Sequence, residues 1–342
     1  MEVVRLAIVG YGGMGRVIAR EAAGMESVAL TAAVEPDADR RLAAEEAHGL
    51  KGFESLDELL DADLADAAFV ATPNKFHADC TVRCLKGGLH VFCEKPMAMN
   101  AAEGERMVAA AEEADRRLTI NFSYRATGQA RALKQAADEG LLGEVYFART
   151  GWLRNRGIPR RGWFCDKEMA GGGPLIDLGV HRIDLALWLM GYPKPVSVTG
   201  VTHNMLGKRL AARWGQDYGV EDLAAGFVRF EGGAALSLEA SWATNSEWRE
   251  DMYTYVYGTK AGMAHRSIGG KYDFEARVWG EMGGAFAETV LQPVSGPSHL
   301  EAFVRSVREG TPVPVDPREA LCVQRILDAL YRSAETGGEV PL

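Results

Sequence analysis

Apolar residues follow two different rhythms along this chain. Through residue 122, short and nearly continuous apolar runs alternate with segments in which apolar positions recur every three or four residues. The runs at 3–10, 28–35, 67–72, 90–93 and 118–122 read as strands. Helical segments follow the first run to about residue 23 and then span 37–48, 76–86 and 101–114. Strands that are apolar on both faces, each followed by a helix, belong to a parallel sheet covered on both sides. Beyond 122 the rhythm changes. A helix is predicted over 129–139 and a strand over 145–150. A loop rich in glycine and arginine comes next, and then a strongly apolar helix over 174–190. Strand candidates then follow one another at 196–201, 223–230, 234–243, 253–257 and 272–278. Turns such as Glu231-Gly232-Gly233 and Gly269-Gly270 separate some of them. That succession predicts a mostly antiparallel open sheet. Helices near 298–308 and 317–333 end the chain.

Composition narrows the classes. The 342 residues suit two domains, and a hydrophobic content of 47% is enough to bury real cores. A formal net charge of −9 argues against nucleic acid or an anionic membrane surface as partner. No apolar run approaches the roughly 18 residues of a membrane span. The first residues run straight into a strand without the segments of a secretory signal. The five cysteines, Cys80, Cys84, Cys93, Cys165 and Cys322, are scattered and lack zinc-ligand spacing. The expectation is a cytoplasmic protein with free thiols and no metal.

Gly10-Tyr11-Gly12-Gly13-Met14-Gly15 satisfies G-x-G-x-x-G, and it directly follows the first strand and opens a helix. That context is what dinucleotide binding needs. Gly10 makes the tight turn, Gly12 admits the pyrophosphate, and Gly15 lets helix and strand pack closely. The helix N-terminus then offers unpaired N–H groups to the phosphates. Glu35 stands 20 residues past Gly15, where an acid accepts from the adenosine ribose and repels a 2′-phosphate. NAD is therefore expected rather than NADP, although Arg40 and Arg41 lie close by in sequence. The fold class expected is α/β: an N-terminal doubly wound Rossmann sheet over 1–122, and a C-terminal α/β domain with a large, mostly antiparallel open sheet over 123–342.

Two strand ends carry candidate chemistry. The strand ending Cys93-Glu94-Lys95-Pro96 delivers Lys95 to the carboxyl edge of the sheet, where ligands of such folds lie. Pro96 holds Lys95 in extended geometry; an ordinary loop lysine is the competing account. Thr72-Pro73-Asn74 ends the preceding strand, and Thr72, Asn74 and His77 either line the cofactor channel or cap a helix. The third candidate lies on the apolar helix after Gly171-Gly172-Gly173-Pro174. Asp177, His181 and Asp184, at i, i+4 and i+7, fall within an arc of about 60° on an ideal helix. Carboxylates and an imidazole on a buried helix must be paired or functional. Either a hydrogen-bonded trio or a proton-transfer site satisfies that. Histidine suits the base that takes a hydroxyl proton as hydride leaves.

In this order these motifs resemble the glucose–fructose oxidoreductase/inositol dehydrogenase family, Gfo/Idh/MocA. The likeness runs from the Gly10–Gly15 fingerprint through Thr72-Pro73-Asn74 with His77, Glu94-Lys95-Pro96 and Asp177-x-x-x-His181 to Val220-Glu221-Asp222. It implies a Rossmann domain, a second domain whose open sheet often forms an oligomer interface, and a Lys95, Asp177, His181 catalytic set. It also implies that the Lys95–Pro96 bond is cis. The implied activity is hydride transfer between NAD(P) and a sugar, sugar derivative or inositol. Transient oxidation with elimination and no net redox change is the alternative, and a non-catalytic NAD sensor is a remoter one. Cofactor contacts are expected from Gly10, Tyr11, Gly12, Gly13, Met14, Gly15, Glu35, Thr72, Pro73, Asn74, His77, Glu94 and Lys95. Substrate contacts are expected from Lys95, Asn121, Tyr124, Arg125, Asp177 and His181, and from Arg154 and Trp163 in the loop before the apolar helix. Trp152, Arg156, Arg160 and Arg161 are grouped in that same loop. A homodimer or homotetramer is the expected assembly, since an uncovered sheet face calls for a partner.

Overall fold

A computed structural model describes residues 3–160 and 162–342, apart from the side chain of Met282. The chain forms two compact units: the residues up to Phe122 with Pro297–Leu321, and Ser123–Gly296 with Cys322–Leu342.

The first unit is built on six parallel strands: β1 (Val4–Val9), β2 (Val28–Val34), β3 (Lys51–Phe53), β4 (Ala67–Val70), β5 (His90–Cys93) and β6 (Leu118–Ile120). Their order in the sheet is β3-β2-β1-β4-β5-β6, so the strand order reverses beside β1, as in a dinucleotide-binding fold. Leu6, Ile8, Phe69 and Phe92 are fully buried, which explains why these strands read as unbroken apolar runs. The sequence reading missed the three-residue β3 and the helix Leu56–Asp61, both too short to establish a period.

The domain boundary also differs from the one drawn in sequence. All of 123–342 was assigned there to the second domain, yet the helix His299–Glu309 packs Leu300, Phe303 and Val304 into the core of the first unit. The Phe303 ring stacks on Phe92 with centroids 5.5 Å apart. An amphipathic pattern says that a helix buries a face, not which sheet receives it.

The second unit carries a nine-stranded sheet. Its strands are β7 (Val145–Arg154), β8 (Pro195–His203), β9 (Leu223–Phe230), β10 (Ala235–Ser241), β11 (Glu250–Gly258), β12 (Ala261–Ser267), β13 (Phe274–Met282), β14 (Ala285–Leu291) and β15 (Val340–Pro341). They are ordered β14-β13-β12-β11-β7-β10-β9-β8-β15. Every pairing is antiparallel except that of β10 with β7. Trp152 and Arg154, read in sequence as loop residues, extend β7 to ten residues. Arg161 lies outside the described residues.

The apolar helix is in two parts. One π turn, Leu175–Gly179, runs into the α-helix Val180–Met190, and Gly191 closes it in a left-handed conformation at φ +80°. Its entry is tight. A Cβ on Gly173 would stand 2.2 Å from the Glu221 carbonyl oxygen, so only glycine fits there. Among the described residues no helix is long and apolar enough to cross a membrane.

Candidate active site

In the first unit the fingerprint has the geometry its glycines require. Gly10 has φ +93°, and a Cβ on Gly15 would lie 2.1 Å from the Gly10 carbonyl oxygen, so helix and strand approach as closely as backbone allows. Added Cβ atoms on Gly12 or Gly13 would meet nothing within 4 Å. The helix Gly13–Ala23 that follows has no side-chain cap and no acid in its first turn. Open space over an uncapped, positively polarised helix end fits a pyrophosphate. The Thr72 hydroxyl, at the end of β4, is buried without a hydrogen-bond partner. A polar ligand at that strand end would supply one.

Glu35 is buried at the end of β2, 4% exposed. Its Oε2 accepts from Tyr11 N at 3.0 Å and its Oε1 from Asp37 N at 3.2 Å. The half-exposed Arg40 guanidinium lies 3.4 Å from Oε1, and Arg41 donates to the Glu35 carbonyl. The acid therefore braces the fingerprint loop while keeping further lone pairs. Met14 is exposed and Tyr11 buried.

At the end of β5 the Lys95–Pro96 peptide is cis, as the resemblance implies. Glu94 is buried; it accepts from Lys95 N at 3.2 Å and from Asn121 Nδ2 at 2.5 Å. Burial raises its proton affinity, and Asn121 and Lys95 oppose that rise. Asn121, expected as a substrate ligand, thus gives one amide N–H to Glu94. His77 also has a different set of partners from a cofactor contact. It is 1% exposed, with Nδ1 2.7 Å from the Pro96 carbonyl and Nε2 2.9 Å from that of Thr72. It ties together the segments that follow β4 and β5. Asn74 is buried beside it and Pro73 half-buried.

In the second unit, Asp177 sits in the π turn, half-buried, and His181 in the first turn of the α-helix, 8% exposed. Trp242, fully buried at the end of β10, donates its indole N–H to Asp177 Oδ2 at 3.0 Å. The His181 ring meets Tyr124 edge-on at 5.2 Å and Trp152 at 6.0 Å. Trp152 Nε1 donates to Glu250 at 2.7 Å, and Arg154 Nε bonds the same carboxylate oxygen at 3.0 Å. The Tyr272 hydroxyl takes another Arg154 donor at 2.8 Å. Trp163 stacks on Phe164 at 4.3 Å.

Asp184 and Arg125 separate from this group. Arg125, expected as a substrate ligand, is 4% exposed and Asp184 1%. They form a two-point ion pair, Nε to Oδ2 at 2.9 Å and Nη2 to Oδ1 at 2.5 Å, and Tyr192 donates to Oδ1 at 2.8 Å. The 60° stripe drawn on an ideal helix is thus divided by its partners: Asp184 is spent on Arg125 and Tyr192, and of the three only Asp177 and His181 remain as candidates.

Three further residues were given no role in sequence. Trp242 and Arg182 were passed over, and Glu221 was quoted only as a motif. Glu221 accepts from Gly173 N at 2.8 Å, Leu175 N at 3.1 Å and Tyr331 Oη at 2.9 Å, capping the candidate helix. Its carboxyl is pushed up by burial and held down by those donors. Arg182 was discoverable by the argument applied to Asp177, a charge on an otherwise apolar helix. Trp242 carried no local signal.

Similarity to known proteins agrees with this architecture. Residues 4–122 match the oxidoreductase family with NAD-binding Rossmann fold, and residues 130–264 match the GFO/IDH/MocA C-terminal domain. The chain is 32% identical to D-glucoside 3-dehydrogenase of Escherichia coli (strain K12) over 287 residues, covering 81% of this chain and 79% of that protein. It is 36% identical to inositol 2-dehydrogenase of Leifsonia xyli subsp. xyli over 190 residues, 54% of each chain. The crystal structure of aldose-aldose oxidoreductase from Caulobacter crescentus superposes with a TM-score of 0.83 at 27% identity, covering 99% of this chain and 100% of that one. The first unit is an NAD-binding Rossmann domain, and the chain belongs to the Gfo/Idh/MocA family of oxidoreductases.

Proposed function

We propose that this enzyme transfers hydride between NAD and a carbinol or carbonyl carbon of a sugar, sugar derivative or cyclic polyol, with His181 exchanging the hydroxyl proton. The nicotinamide supplies the two-electron hydride acceptor or donor when bound. In oxidation the carbinol C–H bond breaks and its electron pair leaves with the hydride. The hydroxyl proton passes to His181, giving a carbonyl product and an imidazolium. Reduction is the reverse, with His181 as donor. Lys95 hydrogen-bonds the reacting oxygen and favours its developing negative charge. Asp177, its carboxylate aimed by Trp242, holds a neighbouring substrate hydroxyl. The observation that carries the reading is one helix presenting both Asp177, fixed by an indole N–H, and His181, walled by two aromatic rings. Relatives named for D-glucoside, inositol and aldose chemistry support a polyhydroxylated substrate.

The open face of the nine-stranded sheet supports a homodimer or homotetramer. Tyr255 stacks with Tyr257 and Trp279, and Phe147 with Tyr257, across it. Cysteines that stand outside any disulfide, Cys80, Cys84, Cys93 and Cys165 among them, suit a reducing cytoplasm.

The test is turnover with NAD and a panel of glycosides, aldoses and inositols, followed as reduced nicotinamide. His181→Ala is expected to cut kcat by roughly 10²–10⁴-fold while NAD still binds. Near-normal turnover in that variant would refute the assignment. Loss of substrate without net accumulation of reduced nicotinamide would instead show transient oxidation with elimination.

A further inference from the structure

Arg182 stands beside His181 on the helix Val180–Met190 and is completely buried. Among the described residues no carboxylate answers its charge: the groups that favour it are the phenols of Tyr124, which also hydrogen-bonds it, and Tyr272. Its Nη1 lies 3.4 Å from His265 Nδ1, and its Nε and Nη2 find no acceptor. What surrounds it is aromatic. The guanidinium carbon sits 4.3 Å from the Tyr124 ring centroid, and 5.6 Å from those of Trp152 and Phe274. A guanidinium keeps its proton even when desolvated, so the unit holds a fixed, uncompensated positive charge under the aromatic wall. Buried cations of this kind are expensive. Tyr124 and Trp152, whose faces stabilise it, are the same rings that contact His181.

We infer that Arg182 is a positioning residue for proton transfer, its charge holding the neighbouring His181 imidazole neutral and able to accept a proton through the neutral pH range. This rests on the proton-exchange role proposed for His181. Both groups touch the Tyr124 ring, so they lie no more than about 9.5 Å apart. At an effective dielectric of about 20 or somewhat above, a fixed charge at that range lowers an imidazole midpoint by about one pH unit. The other charged and titratable groups of this cluster are Asp177 on the same helix segment, Tyr124, Arg154 on β7 with Glu250 on β11, Tyr272, and His265 on β12. Arg154 is neutralised by Glu250 at 3.0 Å. Burial and Arg182 hold His265 neutral. Asp177 acts in the opposite direction, which makes the charge on Arg182 the counterweight.

The experiment is an NMR titration of 15N-histidine-labelled full-length protein, with the His181 signal assigned by its absence in His181→Gln. The wild-type midpoint is expected below the ordinary imidazole value of about 6.5, and a wild-type midpoint at or above it overturns the inference. Arg182→Met should raise the midpoint by about one pH unit, and Arg182→Lys should leave it near the wild-type value. His265→Glu, which leaves Arg182 in place and sets a carboxylate beside it, should raise it in the same direction and covers failure of the Met variant to fold. An unmoved midpoint in either folded variant overturns the inference. The acidic limb of kcat/KM for oxidation should move with the midpoint. If the NMR midpoint moves and the rate profile does not, the inference about Arg182 stands and the proton-exchange role of His181 falls.

Discussion

Removal of the Asp184 carboxylate tests a decision that the helix pattern left open, whether this acid serves the site or the core. Asp184 receives three donors: Arg125 Nε at 2.9 Å, Arg125 Nη2 at 2.5 Å and the Tyr192 hydroxyl at 2.8 Å. Both members of the ion pair are almost fully buried, and the Arg125 guanidinium also faces the Trp188 and Tyr192 rings at 5.5 and 5.4 Å. Asp184→Ala would take from that buried guanidinium the carboxylate that holds it at two points. Breaking a buried pair from one side costs about 3–5 kcal/mol, because the surviving charge stays desolvated. Replacing both partners by apolar residues of similar volume removes that penalty, so Arg125→Met/Asp184→Leu should stand within about 2 kcal/mol of wild type. Urea unfolding followed by far-ultraviolet circular dichroism, with kcat and KM measured on each folded variant, tests both arms. A loss below about 1 kcal/mol in Asp184→Ala would refute the structural assignment, being no more than a surface pair yields. So would a stable double variant whose substrate KM had risen about tenfold, worth about 1.4 kcal/mol of binding, since Arg125 would then be touching substrate.

Two further outcomes are expected. Glu35→Ala removes a charge that faces Arg40, so the ratio of kcat/KM for NAD to that for NADP should fall by about tenfold or more. Equal losses with both cofactors would mean that Glu35 only braces the fingerprint loop. Trp242→Phe keeps the ring and deletes the 3.0 Å hydrogen bond to Asp177. A bond to a charged group is worth about 1.5–3 kcal/mol, so kcat/KM should drop at least tenfold with Tm nearly unchanged, and unchanged kinetics would remove Trp242 from the site.

Much of the first unit was legible because its signals are local. The strand, glycine turn, helix and acid of the dinucleotide site occupy 32 consecutive residues, from Val4 to Glu35, and each glycine answers to a steric demand within that stretch. The short elements were lost for the converse reason: three residues of β3 or six of the helix Leu56–Asp61 do not define a period. β12 and β14 were missed as well. β12 carries Gly262, His265 and Arg266 among its apolar residues, and β14 lies mostly exposed at the sheet edge, so neither presents an apolar run.

Local pattern by itself determined the alternation of strands and helices, the phosphate-ready helix end, and the presence of Asp177 and His181 on one buried helix. These follow from backbone sterics and from the cost of burying charge, and both act over a few residues. Only the tertiary structure decided which of those charges are spent on the core. Asp184 finds Arg125 across 59 positions of sequence and Asp177 finds Trp242 across 65, while Arg182 finds aromatic rings from three different segments and, among the described residues, no carboxylate. Whether a buried charge is paired depends on what the fold carries to it.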